Sequence, residues 1–383
     1  MVTAPSKLPH HHPLKKEIMA FISGQRNTLD PHDPQMSHSG GPSPHDGILF
    51  GRFGLRAVWG IAIFIVLFFI LSAAARISAL AATGRVRQTI AQHKAHSADR
   101  RTEAHTSQTI MVDDTLIGEG LGLLGVALAA GVLSFLERRR IATYGIGRAH
   151  LLDLLTGTFW GLISLSLLVG VLRAGHLLVF DSRILSGSDI LTYGLLWLLA
   201  FLVVGLLEEY LARGYLQYTL TRGIFGLAER ISPRYARAIS FWIAAVIMSI
   251  AFGIGHLGNP GETFAGILAV FLVGITFSYA LWRTGSLWWA IGFHMAWDWA
   301  QSFLYGVPDS GGLSTGRLFQ THPTGKPLLS GGPDGPEGSI LVIPTLLLVM
   351  LIIRFTTRAG VQPSLEPLPA PHDLQQKAHS LIA

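Results

Sequence analysis

The residues best suited to chemistry lie in three short segments of the C-terminal half of the chain. The first segment contains the adjacent carboxylates Glu208 and Glu209, followed by Arg213. On a helix, Glu209 and Arg213 share one face in the order that favours an ion pair, because they are four residues apart. Glu208 points about 100° away from that face. It is therefore predicted to stay free of the pair.

The other two segments supply imidazoles. His256 follows Phe252 at the end of an apolar stretch, and His294 precedes Asp298 by one helical turn. This spacing places His294 and Asp298 on one helical face, where the carboxylate can orient the ring and fix its tautomer. Structural explanations stay open for both segments. His256 could cap a helix, and His294 with Asp298 could form a buried structural pair.

Carboxylates and imidazoles together favour hydrolysis by an activated water. A glutamate in a low-dielectric cavity suits the role of general base, and a neighbouring histidine can share the water. The chain has no cysteine, which excludes a thiolate nucleophile and cysteine-ligated metals. The His-Glu-x-x-His helix of zinc peptidases and the Gly-Asp signature of intramembrane aspartyl proteases are also absent from the sequence.

Transmembrane helices must position these residues. Hydrophobic residues make up 50% of the chain and charged residues 14%, against roughly 25% charged residues in soluble domains. We predict an all-α, polytopic transmembrane bundle of about eight helices with an intramembrane catalytic cavity. The predicted spans are Ala57–Ala75, Ile117–Leu136, Leu151–Leu172, Ile190–Leu207, Ile239–Gly255, Thr263–Trp282, Leu287–Leu304 and Ser339–Ile353.

Helix geometry brings the three segments to comparable depths. The apolar character continues past Glu208 to Leu220, so the helix is predicted to continue there as well. At 1.5 Å per residue, Glu208 lies about 21 Å from the predicted inner end of its helix, His256 about 28 Å and His294 about 12 Å. Because charged groups at membrane depth persist where they are paired or used, we expect three helices to deliver them to one cavity.

These motifs resemble the CAAX-protease and bacteriocin-processing family, also called Abi, of intramembrane glutamic endopeptidases. The resemblance covers about residues 137–305, including Glu137-Arg138-Arg139-Arg140 and Tyr144-Gly145, which are similar to the segment before the family core. Its site motifs are Glu208-Glu209-x-x-x-Arg213, Phe252-x-x-x-His256 and His294-x-x-x-Asp298.

The resemblance implies a role for each site residue. Glu208 would activate water that His256 helps to hold, and Glu209 with Arg213 would form a structural or orienting pair. His294 and Asp298 would line the oxyanion site. Many family members carry Asn where this chain has Asp298. An ionised Asp cannot donate to an oxyanion, so Asp298 would have to be protonated or act by orienting His294.

The domain prediction follows from composition and from this resemblance. It comprises a disordered arm (1–50), two accessory transmembrane helices with a polar loop (51–136), the intramembrane peptidase core (137–305), a Gly/Pro-rich loop (306–338), a last transmembrane helix (339–358) and a disordered tail (359–383). The distribution of Lys and Arg at the span ends favours cytoplasmic N- and C-termini, with the cell inner membrane as the expected location.

The predicted function is hydrolysis of membrane-associated, prenylated or leader peptides, with no metal and no cofactor. The expected partners are a peptide or membrane-protein substrate and the lipid bilayer. Nucleic acid is excluded because no basic stretch is interleaved with aromatic residues. Three alternatives stay open: a zinc enzyme using the same Glu and His residues, a proton-coupled transporter, and a non-catalytic membrane scaffold.

Overall fold

Long apolar helices account for most of the described chain. The computed structural model describes residues 47–82, 108–259 and 263–366, which belong to one compact unit. The α-helices are α1 Ala57–Ala82, α2 Val112–Leu136, α3 Leu152–Ala174, α4 Ser188–Glu209, α5 Gln217–Ile231, α6 Ala236–His256, α7 Phe264–Thr284, α8 Trp288–Trp299, α9 Pro327–Ser330 and α10 Val342–Thr356.

The helices confirm the predicted polytopic bundle. Within the described residues, six helical stretches are long and apolar enough to cross a membrane: Ala57–Ala82, Val112–Leu136, Leu152–Ala174, Ser188–Ile231, Pro233–His256 and Phe264–Thr284. The seventh predicted span corresponds to α8, which a π-helical turn, Ala300–Leu304, continues to the predicted end, and the eighth corresponds to the short α10. Most of the predicted N-terminal arm, the polar stretch 83–107 and the end of the predicted tail lie outside the described residues.

The helix that carries the two glutamates continues past them, as predicted. A π-helical turn, Tyr210–Leu216, joins α4 to α5 without a break. The continuous helix therefore runs over 44 residues. Single π turns inside α-helices often lie at functional sites, and this one begins directly after Glu209.

Helix α8 packs closely on α3 through glycines. A Cβ atom on Gly157 would lie 2.0 Å from the carbonyl oxygen of Trp289, and one on Gly161 would lie 2.4 Å from that of Phe293. Gly292 on α8 makes the reciprocal approach to the carbonyl oxygen of Leu154, at 2.1 Å. Small residues four apart allow such contact between membrane helices. The glycine pair on α3 therefore fixes the helix that bears His294.

Short strands form a cap over one end of the bundle, where the sequence predicts a loop. We define the cap as residues 306–338 with the strands that pair with them. Strand β3 Gln108–Ile110 pairs in parallel with β5 Gly312–Ser314, and β4 Leu178–Arg183 pairs antiparallel with β6 Phe319–Pro323. A further two-stranded sheet joins β1 Phe50–Gly51 to β2 Gly54–Leu55. These sheets are additions to the predicted helical bundle.

Side-chain hydrogen bonds attach the cap to the helices. The indole of Trp197 on α4 donates to the carbonyl of Thr315 at 2.8 Å. Asp334 accepts from the backbone and hydroxyl of Thr263, the N-cap of α7, at 3.2 and 2.6 Å. The cap therefore lies at the end of the bundle where α7 begins.

The chain after α10 crosses the opposite end of the bundle. Residues 360–366, which we call the strap, belong to the tail that the sequence predicts as disordered, but they pack on the helices. Leu365 is only 5% exposed, and Gln362 donates to the carbonyl of Trp282 at 2.7 Å. Hydrogen bonds from buried side chains, which hydropathy does not reveal, hold this segment in place.

Candidate active site

One cavity collects the polar residues of the three sequence motifs. It has a volume of about 300 Å³ and is lined by Glu208 from α4, His256 from α6, and His294 and Asp298 from α8. Phe252 also lines it, one turn before His256. Three helices thus converge on one intramembrane cavity, as the depth estimate predicts.

The Glu209–Arg213 ion pair forms behind the cavity wall. The guanidinium donates to Glu209 Oε1 at 2.9 Å, and both side chains are almost fully buried. The same guanidinium lies 4.1 Å from the ring centroid of Phe252, which is a cation–π contact. Phe252 therefore connects the buried pair on α4 to the helix that carries His256.

The two adjacent glutamates have different surroundings. The side chain of Glu208 is 29% exposed, whereas that of Glu209 is 0% exposed. Glu208 makes no contact with Arg213 within 4.0 Å. Its Oε2 lies 3.8 Å from His294 Nε2, beyond direct hydrogen-bond distance. Glu208 is thus the glutamate that can act on a molecule in the cavity.

Carboxylates surround His294. Its Nδ1 hydrogen-bonds Glu209 Oε1 at 3.2 Å, and its Nε2 lies 3.3 Å from Asp298 Oδ2. Both ring nitrogens therefore face acceptors, and a ring that carries both protons satisfies both contacts. The predicted contact between His294 and Asp298 is present in the structure. Through Glu209, His294 is also linked to Arg213.

His256 has one ring nitrogen fixed and one directed elsewhere. Its Nδ1 lies 2.8 Å from the carbonyl oxygen of Phe252. Because a carbonyl accepts, Nδ1 carries the proton in this contact and Nε2 of the neutral ring is an acceptor. Among the described residues, no carboxylate oxygen lies within 4.0 Å of its ring nitrogens. His256 and Glu208 line the same cavity, with no contact within 4.0 Å between the imidazole nitrogens and the carboxylate.

Three acidic residues that the sequence motifs do not include also line the cavity: Glu119 on α2, and Asp309 and Glu337 in the cap. Glu119 could have been noticed as a carboxylate within the predicted span Ile117–Leu136. Asp309 and Glu337 lie in a segment rich in Gly and Pro, where no periodicity predicts burial.

Burial changes the protonation of the two cap residues. It raises the pKa of Asp309 to about 6, with further upward effects from Glu208 and Asp334. It raises the pKa of Glu337 to about 8, with the charges of Asp309 and Asp334 adding to the effect. Both carboxyl groups lie outside the membrane-spanning helices.

Three of these carboxylates could hold a metal ion. One oxygen each from Asp298, Asp309 and Glu337 lies within 4.8 Å of the others. An all-carboxylate set suits hard cations such as Mg²⁺ or Ca²⁺ better than zinc. Among the described residues, this is the one group of three or more acidic or histidine side chains whose ligand atoms lie close enough together to bind a single metal ion. It contains neither Glu208 nor His256.

The cap also contains a serine motif that was expected to be absent. Gly312-Leu313-Ser314-Thr315-Gly316 fits the Gly-x-Ser-x-Gly pattern of serine hydrolases. That pattern requires a strand-to-helix turn that exposes the serine. Here Ser314 ends strand β5 and is fully buried. The motif therefore lacks the geometry of an exposed nucleophile.

The segment that carries the site is similar to a known protein family. No curated protein and no solved structure matches the chain. One family matches, described as type II CAAX prenyl endopeptidase Rce1-like, over residues 190–300. This range contains every predicted site residue from Glu208 to Asp298. With six candidate spans, the chain is an integral, multi-pass membrane protein, and the match supports an intramembrane CAAX-type protease. The resemblance predicted from the motifs is thereby confirmed: residues 190–300 match the model of the Rce1-like family of type II CAAX prenyl endopeptidases.

Proposed function

We propose that this protein is a glutamic intramembrane endopeptidase in which Glu208 activates a water held by His256. The observation that carries the proposal is the arrangement of the cavity. Glu208 is free of the buried ion pair and shares a cavity of about 300 Å³ with His256. Both residues lie in the segment that matches a peptidase family.

Glu208, His256 and one water are sufficient for the hydrolytic step. Glu208 takes a proton from the water, and the water oxygen attacks the carbonyl carbon of the scissile peptide bond. The Nε2 lone pair of His256 orients that water by accepting its other hydrogen. When the tetrahedral intermediate collapses, the proton on Glu208 passes to the leaving amine.

His294 is placed to stabilise the oxyanion of the intermediate. A donor aimed at the developing negative charge lowers the barrier, because the charge forms in a site of low dielectric. Asp298 Oδ2 lies 3.3 Å from His294 Nε2 in this structure and orients the ring; when a substrate is bound, this N–H leaves Asp298 and donates to the oxyanion. The substitution of Asp for the usual Asn is then compatible with catalysis, since His294 supplies the donor.

Purified protein in detergent tests the proposal with prenylated and plain peptide libraries. Glu208→Gln and His256→Ala are each expected to lower kcat by at least about 100-fold, the usual contribution of positioned acid–base groups. Glu229→Gln, on the surface of α5, is the matched control and should keep full activity. Unchanged cleavage by both site variants would reject the mechanism. A protein that binds peptides but cleaves none would favour the scaffold or carrier alternatives.

A chelator separates the metal-independent mechanism from its zinc alternative. We propose that hydrolysis needs no metal, because the Glu208 and His256 roles described above need none. EDTA should then leave kcat/KM unchanged. Activity that falls with EDTA and returns with one equivalent of zinc per chain would support the zinc enzyme instead.

We further propose that both termini are cytoplasmic and that the cap faces the other side of the cell inner membrane. The excess of Lys and Arg at the strap end of the bundle supports this orientation. Reporter fusions at Met1 and Ala383 test it. Two reporters active on the non-cytoplasmic side would contradict the proposal.

A further inference from the structure

The lining of the cavity is unusually acidic. Five carboxylates line it: Glu119, Glu208, Asp298, Asp309 and Glu337. Two imidazoles accompany them, and no Lys or Arg of the described chain is in the lining. The guanidinium nearest the motifs, that of Arg213, is buried and paired with Glu209.

This charge distribution determines which molecules fit. Buried charges are costly unless they are paired, and complementary charge at a binding surface selects partners. A cationic side chain entering the cavity would be attracted by those of the carboxylates that are ionised. A peptide carboxylate would find no guanidinium or ammonium to receive it.

Glu119 is the carboxylate best placed to receive such a cation without taking part in hydrolysis. It lies on α2, outside residues 190–300 that carry the peptidase motifs. Its charged neighbours include Glu208 and Arg76. Among the described residues, no Lys, Arg or His nitrogen lies within 4.0 Å of its carboxylate. Arg76 is itself exposed and hydrogen-bonds the carbonyl of Gly118.

We propose that Glu119 is a specificity residue that binds a Lys or Arg side chain of the substrate peptide, so that the enzyme selects basic peptide segments. The proposal rests on the proposed peptidase function. Under it, the accessory helix α2 supplies the charge selection, while α4, α6 and α8 supply the chemistry.

Matched peptides that differ at one position test this assignment. The position carries Lys, norleucine or Glu in turn and is moved along a plain peptide that the wild type cleaves. At one position the wild type is expected to prefer Lys over norleucine by about ten- to a hundredfold in kcat/KM, the range of a charge-assisted hydrogen bond. In Glu119→Gln this ratio should fall to about one. Glu119→Lys should favour the Glu peptide.

Two further variants control the experiment. Glu119→Asp keeps the charge and should recover part of the Lys preference, which a purely structural role of Glu119 would not produce. Asp113→Asn removes an exposed carboxylate from the same helix and should leave the ratio unchanged. A Lys-to-norleucine ratio that stays at the wild-type value in Glu119→Gln would overturn the assignment.

Binding measurements separate this proposal from the proposed chemistry. Fluorescent Lys and norleucine peptides are titrated into Glu208→Gln, and into the same variant with Glu119→Gln added. Tighter binding of the Lys peptide that disappears with Glu119→Gln supports the assignment, even if the wild type hydrolyses nothing. Equal binding of both peptides by Glu208→Gln, with wild-type hydrolysis intact, rejects the assignment and leaves the peptidase function standing.

Discussion

At the scale of single residues, a 100° turn of helix gives two neighbouring glutamates different roles. Glu209 is buried and bonded to Arg213 and His294, whereas Glu208 faces the cavity. The spacing of charges in the sequence predicts this division, because it depends only on local helix geometry. The contact from Glu209 to His294 depends on tertiary packing and could not be predicted.

Glu209→Gln should destabilise the protein more than Glu208→Gln does. It leaves the Arg213 guanidinium buried without its counter-charge, a loss of about 3–5 kcal/mol. Thermal unfolding in detergent measures the difference, with Glu208→Gln as the control. Replacing both partners, as in Glu209→Met with Arg213→Leu, should recover part of the lost stability. A Glu209→Gln protein that melts with the wild type would contradict this account of the pair.

The buried carboxyl group of Glu337 should make stability depend on pH. Its pKa rises from the ordinary value of 4.5 to about 8, mainly through burial. Between these values the folded protein keeps a proton that the unfolded chain has released. The free energy of unfolding should therefore fall as the pH rises through this window, by about 1.4 kcal/mol per pH unit at most. Below pH 4.5 both states are protonated, and this loss is absent.

Glu337→Gln tests the pH dependence. The amide oxygen can still accept from the indole of Trp297, which donates to Glu337 at 2.9 Å, but the group no longer titrates. Unfolding of this variant in EDTA buffer should depend less on pH between 4.5 and 8 than that of the wild type. Glu366→Gln, at an exposed position, is the control. Parallel pH profiles for wild type and Glu337→Gln would show that Glu337 does not carry the effect.

At the scale of elements, the sequence predicts the helices better than their packing. Runs of apolar residues predict eight spans, each of which corresponds to a helix in the structure, because the bilayer requires such runs of a spanning segment. The same rule fails in the cap, where short strands such as Gly312–Ser314 are defined by partners distant in the chain. The glycines at 157 and 161 are visible in the sequence, but their partner helix is not.

Gly161→Ala should weaken both the α3–α8 contact and catalysis. A Cβ atom there would lie 2.4 Å from the carbonyl oxygen of Phe293, the residue before His294. Overpacking of this kind costs about 1–3 kcal/mol, and a shift of 1 Å at a reacting group can lower the rate by about a hundredfold. Gly170→Ala on the same helix is the matched control, since nothing lies within 4 Å of its Cβ. Equal melting temperatures and rates for the two variants would contradict close packing at Gly161.

At the scale of the whole molecule, contacts between distant parts of the chain close both ends of the bundle. The cap brings Asp309 and Glu337 into the cavity, and the strap covers the opposite end. Neither could be predicted from hydropathy, since both are irregular segments held by specific hydrogen bonds. The site motifs could be predicted because each lies within one helix. The acidic lining of the cavity could not be predicted, because its carboxylates come from α2, α4, α8 and the cap.

The strap should be required for stability, and truncation tests this. Arg139 donates to the carbonyl oxygens of Leu365, Glu366 and Phe53, at 2.9, 3.2 and 2.6 Å. It is also paired with Glu137 at 3.0 Å.

A chain ending at Thr357 removes two of these acceptors and the buried Leu365 side chain. Each unsatisfied buried donor costs about 1–3 kcal/mol, so this chain should melt at a lower temperature than the full chain. A chain ending at Glu366 keeps every described strap contact and serves as the control. Because the strap lies at the end opposite the cap, Lys selectivity should persist in any truncated protein that folds. Equal melting temperatures for the two truncated chains would show that these hydrogen bonds add nothing to stability.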